Sequence, residues 1–294
     1  MPEGHTIHAL AGRLNRAFAG ESVRVTSLQG RFAGGAQILD RRVLVEAGAW
    51  GKNLFVEFDG DAWLHVHLGL IGLFPVMPLP ADLRGAADPE DIPVTGAVRL
   101  RITGDGHVAD LRGPMTCAVL TGDEVTAFSR RLGPDPLRPD ADPELGWAKL
   151  SRSTRPIAEL LMDQAVLAGV GNVYRCEVLF RHRVDPMRPG KELRRSTWRA
   201  IWDDLVLMLP LGVVYHQILT MDDQIEAAQA EIADGQAPRY TADITGDRLG
   251  DHFERRFFLY KRTGEPCLVC GSKVRSKPLA GRTLYWCGRC QRRR

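Results

Sequence analysis

The spacing of apolar residues divides the chain into a helical start, a strand-rich region and a helical second half. Near the N-terminus, apolar residues recur at intervals of three and four: Ile7, Leu10, Ala11, Leu14 and Phe18. This spacing is typical of an amphipathic helix. We therefore predict a first helix from about Glu3 to Ala19.

Apolar and polar residues then alternate, as expected for half-buried strands. Residues 54–58 and 63–67 flank Asp59-Gly60-Asp61, and residues 98–102 and 108 flank Gly104-Asp105-Gly106. Each pattern predicts a β-hairpin. Shorter strands are predicted around residues 23–25 and 43–45, and the proline-rich, acidic stretch 75–93 is predicted to be a surface loop. His65 and His67 share one face of a predicted strand, where packing or hydrogen bonding is favoured over metal binding.

The segment Leu132-Gly133-Pro134-Asp135-Pro136-Leu137 interrupts regular structure and marks a boundary between domains. Beyond it the apolar spacing becomes helical again. We predict four helices there: one from Pro156 to Gln164, one over 173–180, one capped by Ser196 and one over 221–233. Residues 236–250 show no regular pattern, and we predict a loop.

Two Cys-x-x-Cys pairs lie near the C-terminus, separated by sixteen residues: Cys267 and Cys270, then Cys287 and Cys290. Two such pairs can close a tetrahedral shell of four thiolates around zinc, and the segment between them is long enough for a short hairpin. Four cysteines leave no position for water, so we expect one structural zinc ion. The alternative is two disulfides or four unrelated thiols.

Charge is distributed unevenly along the chain. Residues 255–294 contain twelve Lys or Arg and one acidic residue, a balance of +11, while the remainder has 27 basic and 35 acidic residues, a balance of −8. Concentrated positive charge on a small metal-bound module favours contact with nucleic-acid phosphates over a merely solvated face.

The chain of 294 residues is long enough for two domains and a small zinc module. No window has the roughly 18 apolar residues of a membrane span, and the N-terminus shows no secretory signal. We expect a cytoplasmic protein with no membrane partner.

Three short segments could supply chemistry. Removal of Met1 would leave Pro2 as a secondary amine, which could attack an aldehyde-like carbon, with Glu3 beside it as a proton donor. An ordinary chain start is the alternative. Gly169-Val170-Gly171-Asn172 precedes a predicted helix and could bind an anion, although a plain turn between helices is equally consistent. Lys52 follows Trp50-Gly51, where a lone lysine is usually solvated.

Taken in order, these segments resemble the bacterial formamidopyrimidine-DNA glycosylase and endonuclease VIII family along nearly the whole chain. Five segments carry the resemblance: Pro2-Glu3-Gly4; Trp50-Gly51-Lys52-Asn53-Leu54; the linker 132–137; residues 161–174; and Gly264-Glu265-Pro266-Cys267. The resemblance implies an α+β fold: an N-terminal helix plus a two-layer β-sandwich (1–130), a helical helix–two-turn–helix domain (131–255) and a zinc-finger β-hairpin (256–294).

The resemblance also implies residue roles. Pro2 would be the nucleophile, Glu3 the acid, and Lys52 and Arg282 phosphate contacts that assist elimination. Asn172 would hold the DNA backbone, and Leu70 and Arg112 would fill the space left by an extruded base. The partner would be damaged double-stranded DNA, bound by a monomer.

The expected activity is that of a bifunctional DNA glycosylase and AP lyase that removes oxidised pyrimidines and cleaves the abasic site by β- and δ-elimination. Leu70, the absence of an aromatic residue two positions after Arg112, and Tyr285-Trp286 favour the endonuclease VIII branch. Two alternatives stay open: a glycosylase for 8-oxoguanine and formamidopyrimidine, and a lesion-binding protein without activity. The second is motivated by His5-Thr6, which stands where the family usually has Pro-Glu.

Overall fold

The computed structural model describes residues 2–79, 81–84, 92–238 and 250–292, and these form two compact units. The first unit ends at Arg130, and the second contains Arg131–Pro238 and the described residues from Gly250 onward. Both helices and antiparallel sheets are present, so the predicted α+β class is confirmed.

The first unit pairs one long helix with two antiparallel sheets. Helix α1 spans Gly4–Phe18, within one residue of the prediction at each end. Its described residues form the strands β1 (Arg24–Thr26), β2 (Leu44–Trp50), β3 (Asn53–Phe58), β4 (Ala62–His67), β5 (Val76–Pro78), β6 (Val98–Thr103), β7 (His107–Arg112) and β8 (Thr116–Leu120).

The sheets have the strand orders β1-β6-β7-β5 and β2-β3-β4-β8. One buried apolar cluster contains residues of α1 and of both sheets, including Leu14, Val56 and Leu100. The two sheets therefore share a core, and both predicted hairpins, β3–β4 and β6–β7, are confirmed.

Short elements of this unit were not predicted. They are helices α2 (Ala33–Leu39) and α3 (Gly122–Ser129) and a single 3₁₀ turn (Ala81–Leu83). The loop predicted over 75–93 is wrong for strand β5, which pairs with β7; residues 80 and 85–91 of that stretch lie outside the described residues.

Five helices form the body of the second unit: α4 (Pro143–Leu150), α5 (Ile157–Leu160), α6 (Asn172–Arg181), α7 (Arg195–Tyr215) and α8 (Asp222–Ala233). The helix predicted from Pro156 ends at Leu160 rather than Gln164. Ser196 lies inside α7 and does not cap it, because Arg194 is the capping position. Of the predicted loop 236–250, residues 239–249 lie outside the described residues.

The cysteine segment of the second unit contains an antiparallel hairpin, with β9 (Arg275–Leu279) paired to β10 (Arg282–Trp286). Its two turn residues, Ala280 and Gly281, both have positive φ, as a two-residue type I′ turn requires. Leu284 of β10 is fully buried in the core of the helical body. The hairpin is therefore part of the same compact unit as α6.

A buried carboxylate fixes the segment that leads into this hairpin. Glu177 of α6 accepts hydrogen bonds from the backbone N–H groups of Phe258, Leu259 and Tyr260 at 2.8–2.9 Å. Burial raises the pKa of Glu177, and these hydrogen bonds oppose that rise.

Among the described helices, none is long and apolar enough to span a membrane.

Candidate nucleic-acid interface and metal centre

Helix α1 runs antiparallel to β2. Near its C-terminus, Gly20 N–H donates to the Leu44 carbonyl at 2.8 Å. Closer to the N-terminus of the helix, the Asn15 side chain accepts from the Ala47 N–H at 2.6 Å and donates to the Ala47 carbonyl at 2.8 Å. A strand rises about 3.4 Å and a helix about 1.5 Å per residue. The four residues of strand from Ala47 to the β2–β3 turn therefore cover the same length as about nine residues of helix. Counted back from Asn15, nine residues lead to the start of α1.

This geometry brings Pro2 and Glu3 to the end of the sheet where the Gly51–Lys52 turn lies. Pro2 is partly exposed, whereas Glu3 is fully buried. A partly exposed proline beside a buried carboxyl group suits a nucleophile with an adjacent proton donor, because a water-excluded carboxyl group transfers a proton to the substrate instead of to solvent.

Lys52 lies in the two-residue turn between Trp50 and Asn53, where Gly51 has φ of 60°. Burial lowers the pKa of His67, and the Lys52 charge lowers it further. Asn53 is directly opposite His67 in the β3–β4 register. The lysine therefore stands at the same sheet end as Pro2.

An exposed apolar edge lies at this sheet end, on the loops that follow β4 and β7. Its members are Leu70, Ile71, Leu73 and Met115, with exposed fractions of 51, 82, 59 and 69%. Met115 N–H donates to the His67 carbonyl at 2.8 Å, and Leu73 pairs with Arg112. Of these four residues, Leu70 was identified from the sequence. The other three could have been found as apolar residues that lie near glycines in loops, where exposed side chains are expected.

Arg112 is anchored at the base of the apolar edge. Its guanidinium donates to Asp110 at 3.2 Å, and Asp110 in turn accepts two bonds, of 2.7 and 2.9 Å, from the buried Arg101. These bonds fix the guanidinium group, and the side chain of Arg112 is partly exposed.

His65, on the same strand as His67, is a packing residue as predicted. Its ring stacks on Phe55 at 4.9 Å and contacts Phe128, and its Nε2 lies 3.0 Å from Asn53 Oδ1. Burial lowers the pKa of His65 to about 4, with a smaller contribution from His67. The neutral ring therefore donates its Nε2–H to Asn53.

In the second unit, Asn172 is the first residue of α6 and is almost fully buried. Its Nδ2 donates to the Thr283 carbonyl of β10 at 2.9 Å, and its Oδ1 accepts from Arg175. The side chain thus joins the start of the helix to the hairpin. The preceding turn is closed by Gln164, whose side chain bonds Gly169 and Val170.

Arg282 follows the Ala280–Gly281 turn at the tip of the hairpin. Its Nη1 donates to the Gly281 carbonyl at 2.8 Å, and the side chain is partly exposed. Asn172 and Arg282 are brought close together in the second unit, because Asn172 bonds the residue that follows Arg282 on β10.

The four cysteines converge at the other end of the hairpin. Their sulfur atoms all lie within 4.8 Å of one another, with Cys267–Cys290 at 3.9 Å and Cys270–Cys287 at 3.5 Å. A tetrahedral zinc ion with Zn–S bonds of about 2.3 Å requires sulfur separations of about 3.8 Å. The cysteines are therefore positioned to hold a metal ion. Hydrogen bonds from Ser272 lower the pKa of Cys270 to about 6, whereas burial raises the pKa of Cys267 and that of Cys290.

Three family models match consecutive parts of the chain. The N-terminal domain of formamidopyrimidine-DNA glycosylase matches residues 1–131, the helix–two-turn–helix domain of that enzyme matches 132–223, and the zinc finger found in this enzyme and in isoleucyl-tRNA synthetase matches 264–293.

Curated relatives match over nearly the whole chain. Endonuclease 8 1 of Mycobacterium tuberculosis is 44% identical over 291 residues, covering 99% of this chain and 100% of that protein. Formamidopyrimidine-DNA glycosylase of Thermus thermophilus is 29% identical over 299 residues, covering 99% and 98%.

Solved structures share the fold. The MutM (Fpg) protein of Thermus thermophilus has a TM-score of 0.74 at 27% identity, covering 99% of this chain and 98% of that one. The Lactococcus lactis Fpg protein, in a complex with DNA that contains an oxidised pyrimidine, has a TM-score of 0.74 at 21% identity, covering 99% and 100%.

Proposed function

Because this chain belongs to the formamidopyrimidine-DNA glycosylase family of base-excision repair, we propose that it is a bifunctional DNA glycosylase and AP lyase. It removes oxidised pyrimidines from double-stranded DNA and then cleaves the strand at the abasic site. The observation that carries this proposal is the partly exposed Pro2 beside the buried Glu3, at the sheet end that bears Lys52.

The chemistry begins at the nitrogen of Pro2, once Met1 has been removed. This nitrogen attacks C1′ of the damaged nucleotide and loses its own proton, and the glycosidic bond breaks with its electron pair leaving on the base, which takes up a proton. The C1′–O4′ bond then breaks, O4′ gains a proton, and an iminium ion remains between Pro2 and the opened sugar. A secondary amine gives an iminium nitrogen without a proton, so the ion stays an electron sink.

The iminium ion enables strand cleavage. Loss of a proton from C2′ breaks the C3′–O bond in β-elimination, and a second elimination breaks the C5′–O bond. Glu3 is the acid that assists base departure and supplies the proton to O4′, and Lys52 and Arg282 bind phosphates and assist the eliminations.

Access to C1′ requires the damaged nucleotide to leave the base stack, which costs a few kcal/mol. The apolar edge offers side chains that can occupy the vacated space, with Leu70 as the exposed member identified from the sequence and Arg112 at its base. Asn172 contributes to holding the backbone beside the lesion. Its buried side chain is already bonded to Thr283, so it acts in concert with the hairpin tip.

Oxidised pyrimidines are the proposed substrates because the curated relative named endonuclease 8 is 44% identical over the full chain, against 29% for a formamidopyrimidine-DNA glycosylase. Leu70 and the sequence Arg112-Gly113-Pro114 favour the same branch.

Zinc is the proposed metal, held by Cys267, Cys270, Cys287 and Cys290 as a structural ion, because their sulfur separations fit a tetrahedral shell. We also propose that the protein acts as a monomer at the bacterial nucleoid.

Borohydride trapping tests the proposal. Duplexes containing thymine glycol, dihydrouracil, 8-oxoguanine or an abasic site are incubated with the protein and borohydride, which reduces the iminium to a stable covalent adduct. We expect adducts with both oxidised pyrimidines and the abasic site. Absence of an adduct with every duplex would refute the enzymatic activity and favour the lesion-binding alternative, which the His5-Thr6 departure motivates. Stronger trapping with 8-oxoguanine opposite cytosine would overturn the substrate assignment.

A further inference from the structure

Four cationic side chains line a surface pocket at the cysteine end of the hairpin. The pocket has a volume of about 310 Å³ and is lined by Ser272, Lys273, Arg275, Gly288, Arg289 and Arg292. We call it the knuckle pocket. No acidic residue lines it, and within the part of the chain that the structure describes none of the four cations forms an ion pair.

The acidic residue of the surrounding segment does not neutralise the positive charge of the pocket either. Glu265, the one acidic residue between 255 and 294, is paired with Arg262 at 2.8 Å. The four cations are exposed at the surface. Their mutual repulsion would be relieved by an anion with several acceptor oxygens, and phosphate is the anion that arginine and lysine bind most readily at such sites.

Gly288 shapes the floor of the pocket. A Cβ atom at this position would lie 3.0–3.1 Å from three atoms of the Arg275 guanidinium group. The guanidinium group therefore lies directly over the backbone of the second cysteine pair, where a side chain would displace it. Arg275 is opposite Trp286 in the hairpin, so its position is also fixed by the strand register.

The pocket is separated from the hairpin tip by the length of β10. From Arg282 to Trp286 the strand rises about 14 Å. One strand of duplex DNA presents a phosphate about every 3.4 Å along the helix axis. The two ends of the hairpin are therefore far enough apart to contact different phosphates of one duplex.

We propose that the knuckle pocket binds a second backbone phosphate of the DNA, distinct from the phosphate assigned to Arg282. This inference rests on the proposed function, since it takes duplex DNA as the ligand. The hairpin would then bind the duplex at two points, Arg282 and the knuckle pocket. The second contact would fix the orientation of the DNA strand that Arg282 contacts.

The test compares how the affinity for a lesion-containing duplex depends on salt. Each phosphate contact contributes about 0.9 to the slope of log affinity against log salt concentration. For Lys273→Gln/Arg292→Gln we expect a slope less steep by about one contact, with zinc content unchanged, since Arg289 between the cysteines is left intact. The matched control, Arg16→Gln/Arg31→Gln, removes two exposed charges from the first unit and is expected to keep the wild-type slope.

A scan with neutral methylphosphonates identifies the phosphate. We expect one position to weaken wild-type binding but not binding by Lys273→Gln/Arg292→Gln, and this position should differ from the one lost in Arg282→Gln. An unchanged slope and an unchanged scan would overturn the pocket inference while borohydride trapping by the wild type still supports the proposed function. Conversely, a changed slope and scan without any trapping would support the pocket and refute the activity.

Discussion

The side-chain amide of Asn172 donates to the backbone carbonyl of Thr283 at 2.9 Å, across 111 positions of sequence. This bond joins the first residue of α6 to the strand that carries Arg282. Since Asn172 also accepts from the buried Arg175, one amide links the helix start, a buried cation and the hairpin tip. Two residues proposed to contact the DNA backbone are thus mechanically connected within the second unit.

Replacing Asn172 by alanine is expected to lower the free energy of unfolding of the second unit by about 1–3 kcal/mol, because Arg175 and the Thr283 carbonyl each lose a buried partner. Affinity for a lesion-containing duplex should fall in parallel. Urea denaturation and equilibrium DNA binding measure the two effects. The control is Thr283→Ala, which keeps the backbone carbonyl and should be close to wild type; equal losses in both variants would contradict this account.

An uncleaved N-terminal extension before Pro2 is expected to abolish borohydride trapping. The extension converts the secondary amine into an amide, which has no basic lone pair to attack C1′. Removing the same extension with a protease that leaves Pro2 at the terminus should restore the adduct, and this provides the control for misfolding. Undiminished trapping by the extended protein would show that another amine is the nucleophile.

The substitution Glu3→Gln preserves the shape of a fully buried side chain but removes its proton. We expect the rate of base excision to fall by about 10²–10⁴-fold, the usual contribution of a general acid. Trapping with a pre-formed abasic site should suffer less, because no base has to leave. Single-turnover assays on both substrates measure the difference, and equal losses would indicate a structural role for Glu3.

The elements predicted correctly are those with strong local patterns. Helix α1 has apolar residues at helical spacing over its whole length, and the β3–β4 hairpin combines alternation with an Asp-Gly-Asp turn. The cysteine quartet was recognisable because metal ligation requires specific residues at specific intervals.

The elements missed are those that tertiary contacts determine. Helix α2 contains two adjacent glycines, which disfavour a helix, and it forms beside β1 in the packed unit. Strand β5 ends in Pro78 and is stable as an edge strand paired on one side to β7. The capping box of Thr121 and Glu124 was a readable signal for α3.

The same distinction holds for the candidate site. The motif segments gave Pro2, Lys52 and the cysteines, whereas the exposure of Ile71, Leu73 and Met115 depends on how two distant loops meet. The bond from Asn172 to Thr283 has no local sequence signal, because its two ends become neighbours through the packing of the hairpin on α6.

Loss of the metal is expected to reach beyond the hairpin. Cys287→Ala removes one of the four ligands, and Gln291, which bonds both Cys287 N–H and the Val184 carbonyl, connects the second cysteine pair to the helical body. We expect loss of bound zinc, faster hydrogen exchange in β10 and α6, and weaker DNA binding, because Leu284 is no longer held in the core.

The control for this variant is Cys117→Ala, the same substitution in the first unit, where the thiol is no part of the quartet. It should retain one zinc ion per chain and wild-type exchange in β10. In Cys287→Ala the strands β3 and β4 should exchange as in the wild type. A full equivalent of zinc in Cys287→Ala would show that the quartet is not the binding site.

His65 makes the stability of the first unit sensitive to acid. Burial lowers its pKa in the folded protein to about 4, below the ordinary value of 6.5 expected in the unfolded chain. Between these values the unfolded chain binds the proton and the folded protein does not, so acid favours unfolding. The stabilisation is therefore complete above pH 6.5 and is lost as the pH falls towards 4.

We expect His65→Gln to abolish this part of the acid sensitivity. Between about pH 7.5 and 4.5 the wild type should lose on the order of 2 kcal/mol more free energy of unfolding than the variant, since a pKa difference of one unit corresponds to about 1.4 kcal/mol. His67, whose pKa is also lowered mainly by burial, is present in both proteins, so most of its contribution cancels in the comparison. Hydrogen exchange of β3 and β4 along urea titrations measures the first unit alone.

The variant is expected to be less stable than the wild type near neutral pH, because the ring no longer stacks on Phe55. The difference between the two pH profiles is what tests the prediction. Parallel pH profiles of the two proteins would refute the assignment of a neutral, buried His65.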